Sequence, residues 1–173
     1  MNQDKLNADS GKINSSTEMN DRYLSFSLGT EDYAIPLLSV REVIAIPEIT
    51  PVPQSSSYFL GIMNLRGQVI SVIDLRSKLS IKPSNSTESA IIICDLHPNS
   101  LGVVVDSINS VINANPHQIS EKPEIHSQKN TDYIQNVYRD KDKLIVLLDI
   151  SKVLNIQEMR EITNANQKPK KAS

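Results

Sequence analysis

The sequence predicts an all-β protein made of two near-copies of one small β-unit packed face to face, with a short C-terminal helix. Three observations carry that expectation. The segment Tyr133–Asp149 overlies Tyr58–Asp74 without a gap at a constant offset of 75 residues, and Leu154 falls on Leu79 at the same offset. Internal repetition of this kind bounds the architecture before any local assignment. Seven or more short apolar runs are separated by Gly, Pro and Asn turns with little helix between them, the pattern of small barrels or a sandwich rather than βαβ units. Trp is absent and Phe occurs twice, so the interior is aliphatic, rich in the residues that suit strands.

The elements follow in order. Residues 1–20 are polar with isolated apolar positions, a disordered lead-in that cannot offset its ordering entropy. The folded part is expected over 21–157, its first copy at about 21–80 and its second at about 88–157. Tyr23, Leu24, Phe26 and Leu28 mark a strand, and Gly29-Thr30-Glu31-Asp32 turns it into Tyr33-Ala34-Ile35. Pro36, which cannot donate to a ladder, ends that strand or puts it on an edge. Ser39-Val40-Arg41-Glu42 has the form of a capping box and predicts a brief helical turn, after which Val43–Ile46 reads as strand. Ser55 or Ser56 is placed to cap a one-turn helix around Tyr58, with Gly61 beyond its end. Strands at Ile62–Leu65 and Val69–Leu75 follow. Lys78–Ser89 is the polar seam between copies, and Ala90–Cys94 is a strand covered on both faces. Strands at Leu101–Val105 and Ser107–Ile112 lead into the loosely structured stretch 113–130. Leu144–Ile150 is the last strand. Val153, Leu154, Ile156, Met159 and Ile162 form an apolar stripe from Ser151 to about Glu161, a helix capped by Asp149 or Ser151. Residues 163–173 are a polar, Lys-rich tail with no reason to fold.

Composition removes several classes of function. Net charge is −2 over 173 residues, with no basic block to track phosphates, so nucleic acid is not an expected partner. The single cysteine excludes an intrachain disulfide framework and suits the cytoplasm. No apolar run is long enough to span a membrane, and no signal-peptide core precedes Asn20. No phosphate-cradling glycine loop, G-x-S-x-G or C-x-x-C occurs.

Candidate residues reduce to a few. Asp74 and Asp149 occupy one repeat position, after a buried strand and before a helical turn, where capping explains both better than paired-carboxylate chemistry. Asp106 ends another strand and reads as solvated there. His97, His117 and His126 lack metal-ligand spacing, and Cys94, ending an isoleucine run, reads as a buried hydrophobe. No metal, cofactor or catalytic residue is expected. Arg66 is different. In the motif Asn64-Leu65-Arg66-Gly67 it sits on a reversal made possible by Gly67 and pinned between two buried strands, so its side-chain exit is set. A five-donor fork held rigidly there suits a carboxylate on another surface and cannot act as a base. Glu42 is the acid placed near Arg66, with Val40 and Ile44 as apolar contacts along the same rim of a groove between the two units.

Asn64–Gly67 followed by Val69–Arg76 resembles the signature of the CheW family, the coupling proteins of bacterial chemotaxis. The likeness extends through Phe26–Gly29, Tyr33–Ile35, Val40–Val43, Gly102–Asp106 and Leu144–Leu154, about residues 20–157. The resemblance implies two intertwined SH3-like five-stranded β-barrels and a non-enzymatic adaptor without cofactors. Its implied partners are the CheW-like regulatory domain of the histidine kinase CheA and the cytoplasmic hairpin tip of a methyl-accepting chemoreceptor. Kinase domains and adaptor would join in rings at the inner face of the membrane. The tip would lie in the inter-barrel groove, with Arg66 as the motif arginine, Glu42 as the family's acidic residue and Val40 as an apolar contact. Asn136 stands where the family usually has glycine and is expected to keep its left-handed backbone. Two alternatives stand beside this reading: the same adaptor in a type IV pilus or other chemosensory pathway, and a small β-barrel enzyme.

Overall fold

The computed structural model describes residues 21–82, 86–122 and 131–167. The lead-in 1–20, residues 168–173 of the tail and His126 lie outside them. Eleven strands occur among the described residues: β1 (Arg22–Leu28), β2 (Glu31–Pro36), β3 (Val40–Ala45), β4 (Phe59–Leu65), β5 (Gln68–Asp74), β6 (Ala90–Leu96), β7 (Asn99–Val105), β8 (Ser107–Asn113), β9 (Ile119–Glu121), β10 (Ile134–Asp140) and β11 (Lys143–Leu148). Helix α1 (Leu75–Leu79) follows β5, and α2 (Ile156–Gln167) ends the described chain.

The strands form two mixed sheets, ordered β8-β1-β2-β11-β10-β9 and β3-β6-β7-β5-β4, called here sheet A and sheet B. The two copies exchange strands. β1 and β2 of the first copy complete the second copy's sheet, and β6 and β7 complete the first's. Carrying β1–β3 onto β6–β8 by 68 residues and β4–β5 onto β10–β11 by 75 makes the two orders coincide, apart from the added β9. The registers coincide as well. Ser71 faces Leu101 in the parallel pair β5–β7, and Val146 faces Tyr33 in the parallel pair β11–β2. Val40 faces Cys94, and Ile108 faces Phe26.

The sheets are not the closed five-stranded barrels that the sequence led us to expect. Among the described residues no ladder joins β3 to β4 or β8 to β9, so both sheets stay open, and sheet A has six strands. A barrel closes only when strand number, tilt and stagger agree. Here the outer edge of β10 is taken by β9, and that of β4 by a single bridge between Thr50 and Ile62. The packing is divided accordingly. A central core between the sheets is built from Leu24, Phe26, Leu28, Ile73, Ile92, Leu101, Val103, Leu148 and Ile162 among others. Sheet B covers a smaller cluster around Met63, Ile70, Val72, Ile91 and Ile93, and sheet A one around Tyr138, Ile145 and Leu147. Ile91, Ile92, Ile93 and Cys94 are all fully buried, which is why that run carries no polar face.

Several local expectations change. Ser39 does not open a helix: its hydroxyl donates to the Pro36 carbonyl at the end of a 3-10 turn over Leu37–Ser39, and Glu42 lies in β3. No helix forms at Tyr58, and Gly61 lies within β4. Asn136 is not left-handed; among the described residues, Gln54, Arg66, Ser80 and Lys141 are the non-glycine residues with positive φ. Pro36 ends β2 as expected, but β2 is interior, and β11 pairs with it only over Asp32–Ala34, short of the proline. Asp74 caps α1 by accepting from the backbone N–H groups of Arg76 and Ser77. Asp149 caps a 3-10 turn over Ile150–Lys152, so the helix expected from Ser151 starts later. The cap of α2 is Asn155, whose side chain accepts from Glu158 N at 2.9 Å while Glu158 accepts from Asn155 N at 2.7 Å. This reciprocal box satisfies two orphan donors. The helix then runs to Gln167, into the segment taken for tail, because Ile162 enters the central core and Asn166 and Thr163 meet Ser71 and Asn99.

Glu158 also anchors α2 to the first copy. It accepts from Tyr58 Oη at 2.7 Å and pairs with Lys78, whose ammonium lies 4.5 Å from the Tyr58 ring centre. Burial alone would raise the pKa of this carboxyl, but bonds from Lys78, Asn155 N and Tyr58 outweigh it and hold it below its ordinary value. Burial, and then the neighbouring carboxylate, push the Tyr58 phenol up to about 12. A depressed carboxyl stabilises the fold above its unfolded pKa, and that stability is lost as pH falls through the folded value. Acid unfolding should therefore lose an increment beginning near pH 4.5 that is missing from Glu158→Gln. Parallel acid limbs for the two proteins in circular dichroism would contradict this.

Candidate functional site

The site is built on the β4–β5 hairpin. Leu65 pairs with Gln68 across a two-residue loop, Arg66 at φ 51° and Gly67 at φ 86°. Positive φ at both positions is the turn whose twist matches flanking strands, and Asn-Gly or Asp-Gly is its usual sequence. Asn64 supports it by accepting from Gly67 N at 2.8 Å. Arginine in the left-handed region is unfavourable by about 1 kcal/mol, so its presence is a local exception of the kind found at working sites. Leu65 packs beneath the turn against the sheet B cluster.

The curl of sheet B brings this loop to β3, the opposite edge strand. Arg66 Nη1 and Nη2 donate to Glu42 Oε1 and Oε2 at 2.6 and 2.9 Å, a bidentate pair in which the arginine side chain is 74% exposed and the glutamate 22%. The bonds from Arg66 hold the Glu42 carboxyl below its ordinary pKa. Beside it, Arg41 Nη1 donates to Gln68 Oε1 at 2.8 Å and to Ser100 Oγ at 3.2 Å, and Ser100 Oγ donates to Asp95. Side chains thus clasp the seam that no backbone ladder closes.

Ile44 shares the Glu42 side of β3 and packs against the sheet B cluster, whereas a register shift between Val40 and Glu42 turns Val40 to the other side, against the central core; both are partly buried. Val43 and Val69 are the aliphatic residues left exposed nearby. The helical turn expected at Ser39–Glu42 concealed which residues of β3 face outward. The space between the sheets is filled by the central core, so the rim that carries the pair lies on the outside of that packing. A half-open concavity of about 260 Å³ lies instead between the 52–56 segment and α2, lined by Val52, Pro53, Tyr58, Phe59, Ile162 and Ala165. It takes no lining from Arg66, Glu42, Val40 or Ile44.

Sheet A repeats the arrangement with other residues. Asp32 accepts from Ser27 Oγ at 2.7 Å and Asn109 Nδ2 at 3.0 Å, with Lys143 Nζ 3.8 Å away. Under the duplication Ser27, Asp32, Asn109 and Lys143 correspond to Asp95, Ser100, Arg41 and Gln68. Exposed Val111 and Leu144 likewise correspond to Val43 and Val69. The counterparts of Arg66 and Glu42 are Lys141 and Ser110, which cannot form an ion pair, so the bidentate clasp belongs to one lobe alone.

The remaining candidates are structural. Cys94 is fully buried and its thiol is pushed up to about 12 by burial and then by Asp95, which leaves it unreactive. His97 and His117 are exposed in separate turns, and among the described residues no cluster suits a metal ion. Asp106 is not solvated as expected: it is buried and paired with Arg76.

Residues 22–158 match the CheW-like domain. The chain belongs to the CheW family. Chemotaxis protein CheW of Klebsiella aerogenes is 29% identical over 143 residues, covering 82% of this chain and 86% of that protein. CheW of Bacillus subtilis is 32% identical over 137 residues, covering 78% and 87%. The crystal structure of the scaffolding protein CheW from Thermoanaerobacter tengcongensis superposes with a TM-score of 0.73 at 28% identity, covering 81% of this chain and 96% of the other. The CheW assignment replaces the enzyme alternative: this is a non-enzymatic chemotaxis scaffold of the kind that couples chemoreceptors to the kinase CheA. Among the described residues no helix is long and apolar enough to cross a membrane.

Proposed function

We propose that the Arg66–Glu42 rim of sheet B receives the cytoplasmic hairpin tip of a methyl-accepting chemoreceptor, and that the chain thereby reports receptor state to CheA by contact alone. The observation that carries this reading is the bidentate pair itself, held outward on a strained turn with the arginine three-quarters exposed. A guanidinium whose direction is set by its own carboxylate offers donors to a polar group on a docking helix at little ordering cost. Partly buried Val40 and Ile44 pack β3 against the two cores and so hold the strand that carries Glu42 in place. The two equivalent surfaces bearing Val43–Val69 and Val111–Leu144 fit a partner built from the same kind of lobe, the CheW-like regulatory domain of CheA. Repeated pairings of that type extend into rings beneath the membrane, where weak contacts gain strength by multivalency.

Titration of a receptor-tip fragment tests the reading. Arg66→Ala should weaken binding about tenfold or more with an unchanged melting curve, since an exposed pair adds little stability. Exchange of the pair, Arg66→Glu with Glu42→Arg, restores the clasp but not the cation at the turn and should bind as poorly. Wild-type affinity in Arg66→Ala would remove the role assigned to this residue.

A further inference from the structure

The chain passes between the two sheets at two places before α2, and the two are built differently. The first passage, from β2 to β3, is the 3-10 turn Leu37–Ser39, where Ser39 Oγ bonds locally to Pro36 O and Leu38 is 57% exposed. The second, from β7 to β8, is the single residue Asp106, 3% exposed. Each polar group of Asp106 reaches a different part of the molecule. Its N–H donates to Ser27 O of β1 at 3.1 Å, and its carbonyl accepts from Ser86 Oγ at 2.7 Å. Carboxylate Oδ2 accepts from Gly29 N, in the β1–β2 turn of sheet A, at 2.7 Å. Oδ1 pairs with Arg76 Nη1 at 2.6 Å. Arg76 belongs to α1, which continues from β5 of sheet B, and its Nε and backbone N–H are both held by the α1 cap Asp74.

One carboxylate therefore ties the hairpin of one sheet to the helix of the other at the point where the chain crosses. The duplication does not repeat the device: the counterparts of Asp106, Arg76 and Gly29 are Leu38, Ser151 and His97. We infer that Arg76 and Asp106 are positioning residues for coupling. They pin the angle between the lobes at one passage, so that a load on the sheet B rim is delivered to the sheet A surface as a rotation about a fixed point. A buried charge pair suits this because its geometry is set on both sides and is scarcely screened by salt. The passage at Leu37–Ser39 is held by a local bond, so a hinge motion between the sheets turns about the tied passage at Asp106. The functional half of the inference rests on the receptor and kinase reading above; the mechanical half does not.

The test uses the full chain with spin labels at exposed Val69 and Leu144, each changed to Cys, Cys94 being buried. Double electron–electron resonance reads the distance between sheets. Asp106→Asn keeps the shape and an acceptor for Gly29 N while removing the charge, and Arg76→Lys keeps the charge while removing the fork. Both should broaden the distance distribution about twofold, with circular dichroism showing a folded protein. Ile70→Val, a core change within sheet B, is the control for simple destabilisation and should leave the distribution narrow. In reconstituted arrays both pivot variants should keep receptor-tip and kinase binding while losing most kinase activation. A distribution as narrow as wild type in both variants, or equal broadening by Ile70→Val, overturns the pivot whatever the partners prove to be. Broadening with full kinase activation overturns the coupling role alone. A wild type that binds neither receptor nor kinase fragments is instead a failure of the proposed function, and the distance measurement stands apart from it.

Discussion

Gly61→Ala is expected to be the most damaging single substitution of a small residue in this chain, lowering stability by about 3–5 kcal/mol. The reason is contact with backbone. A Cβ on Gly61 would lie 2.1 Å from Thr50 O, 2.7 Å from Thr50 C and 2.9 Å from Pro51 Cα. None of these atoms belongs to a side chain that could rotate away. The same Thr50 carbonyl accepts from Ile62 N at 2.9 Å, and Thr50 N donates to Ile62 O at 2.8 Å, so relief of the clash breaks the bridge that guards the outer edge of β4. Gly61 also has φ 139°, a conformation that L side chains rarely adopt. Gly67→Ala is the comparison. Nothing lies within 4 Å of its Cβ position, so only the positive-φ penalty of about 1 kcal/mol applies. Urea melts of the two variants should differ by several-fold in their loss of stability. Equal losses would show that the 50–53 segment yields to a methyl group.

Asp106→Ala is the second large effect, about 3–5 kcal/mol, because it leaves Arg76 mostly buried without one of its carboxylates and strands the Gly29 N–H. The side chains are 16% and 4% exposed for Arg76 and Asp106, so the loss should be nearly the same at low and high salt. Glu42→Ala, which breaks a pair whose arginine is 74% exposed, should cost little at any ionic strength. Denaturant melts of both variants in 0.05 and 0.5 M sodium chloride, concentrations on either side of the physiological Debye length, measure the contrast. A small or strongly salt-dependent loss in Asp106→Ala would mean that the carboxylate is solvated in the working protein.

How much of this was legible beforehand differs from residue to residue. Arg66 was placed on its turn from Asn64, Leu65 and Gly67 alone, since a tight reversal is a property of adjacent residues. Its partner stands 24 positions away, and the pairing follows from the curl of sheet B. The cap of α2 was written in Asn155 and Glu158 and was missed in favour of Asp149, which caps a shorter turn just before it. Asp106 was misread because a strand-ending aspartate looks solvated until Gly29 and Arg76, from other elements, are brought to it. Ile44 falls in a strand as expected, while Val40, expected in a helical turn, opens the same strand β3, and the burial of both depends on contacts with cores built from other elements.

Legible from the order of residues alone were the repeat, most strand positions, the aliphatic interior, the turn that carries Arg66 and the likeness to the CheW family. These are properties of neighbouring residues or of a repeated pattern. Long-range contacts settled the rest: the copies exchange their first two strands, both sheets stop short of closing, and one buried carboxylate joins the halves. Those outcomes depend on hydrogen bonds and ion pairs between residues tens of positions apart, and no local propensity chooses among such partners.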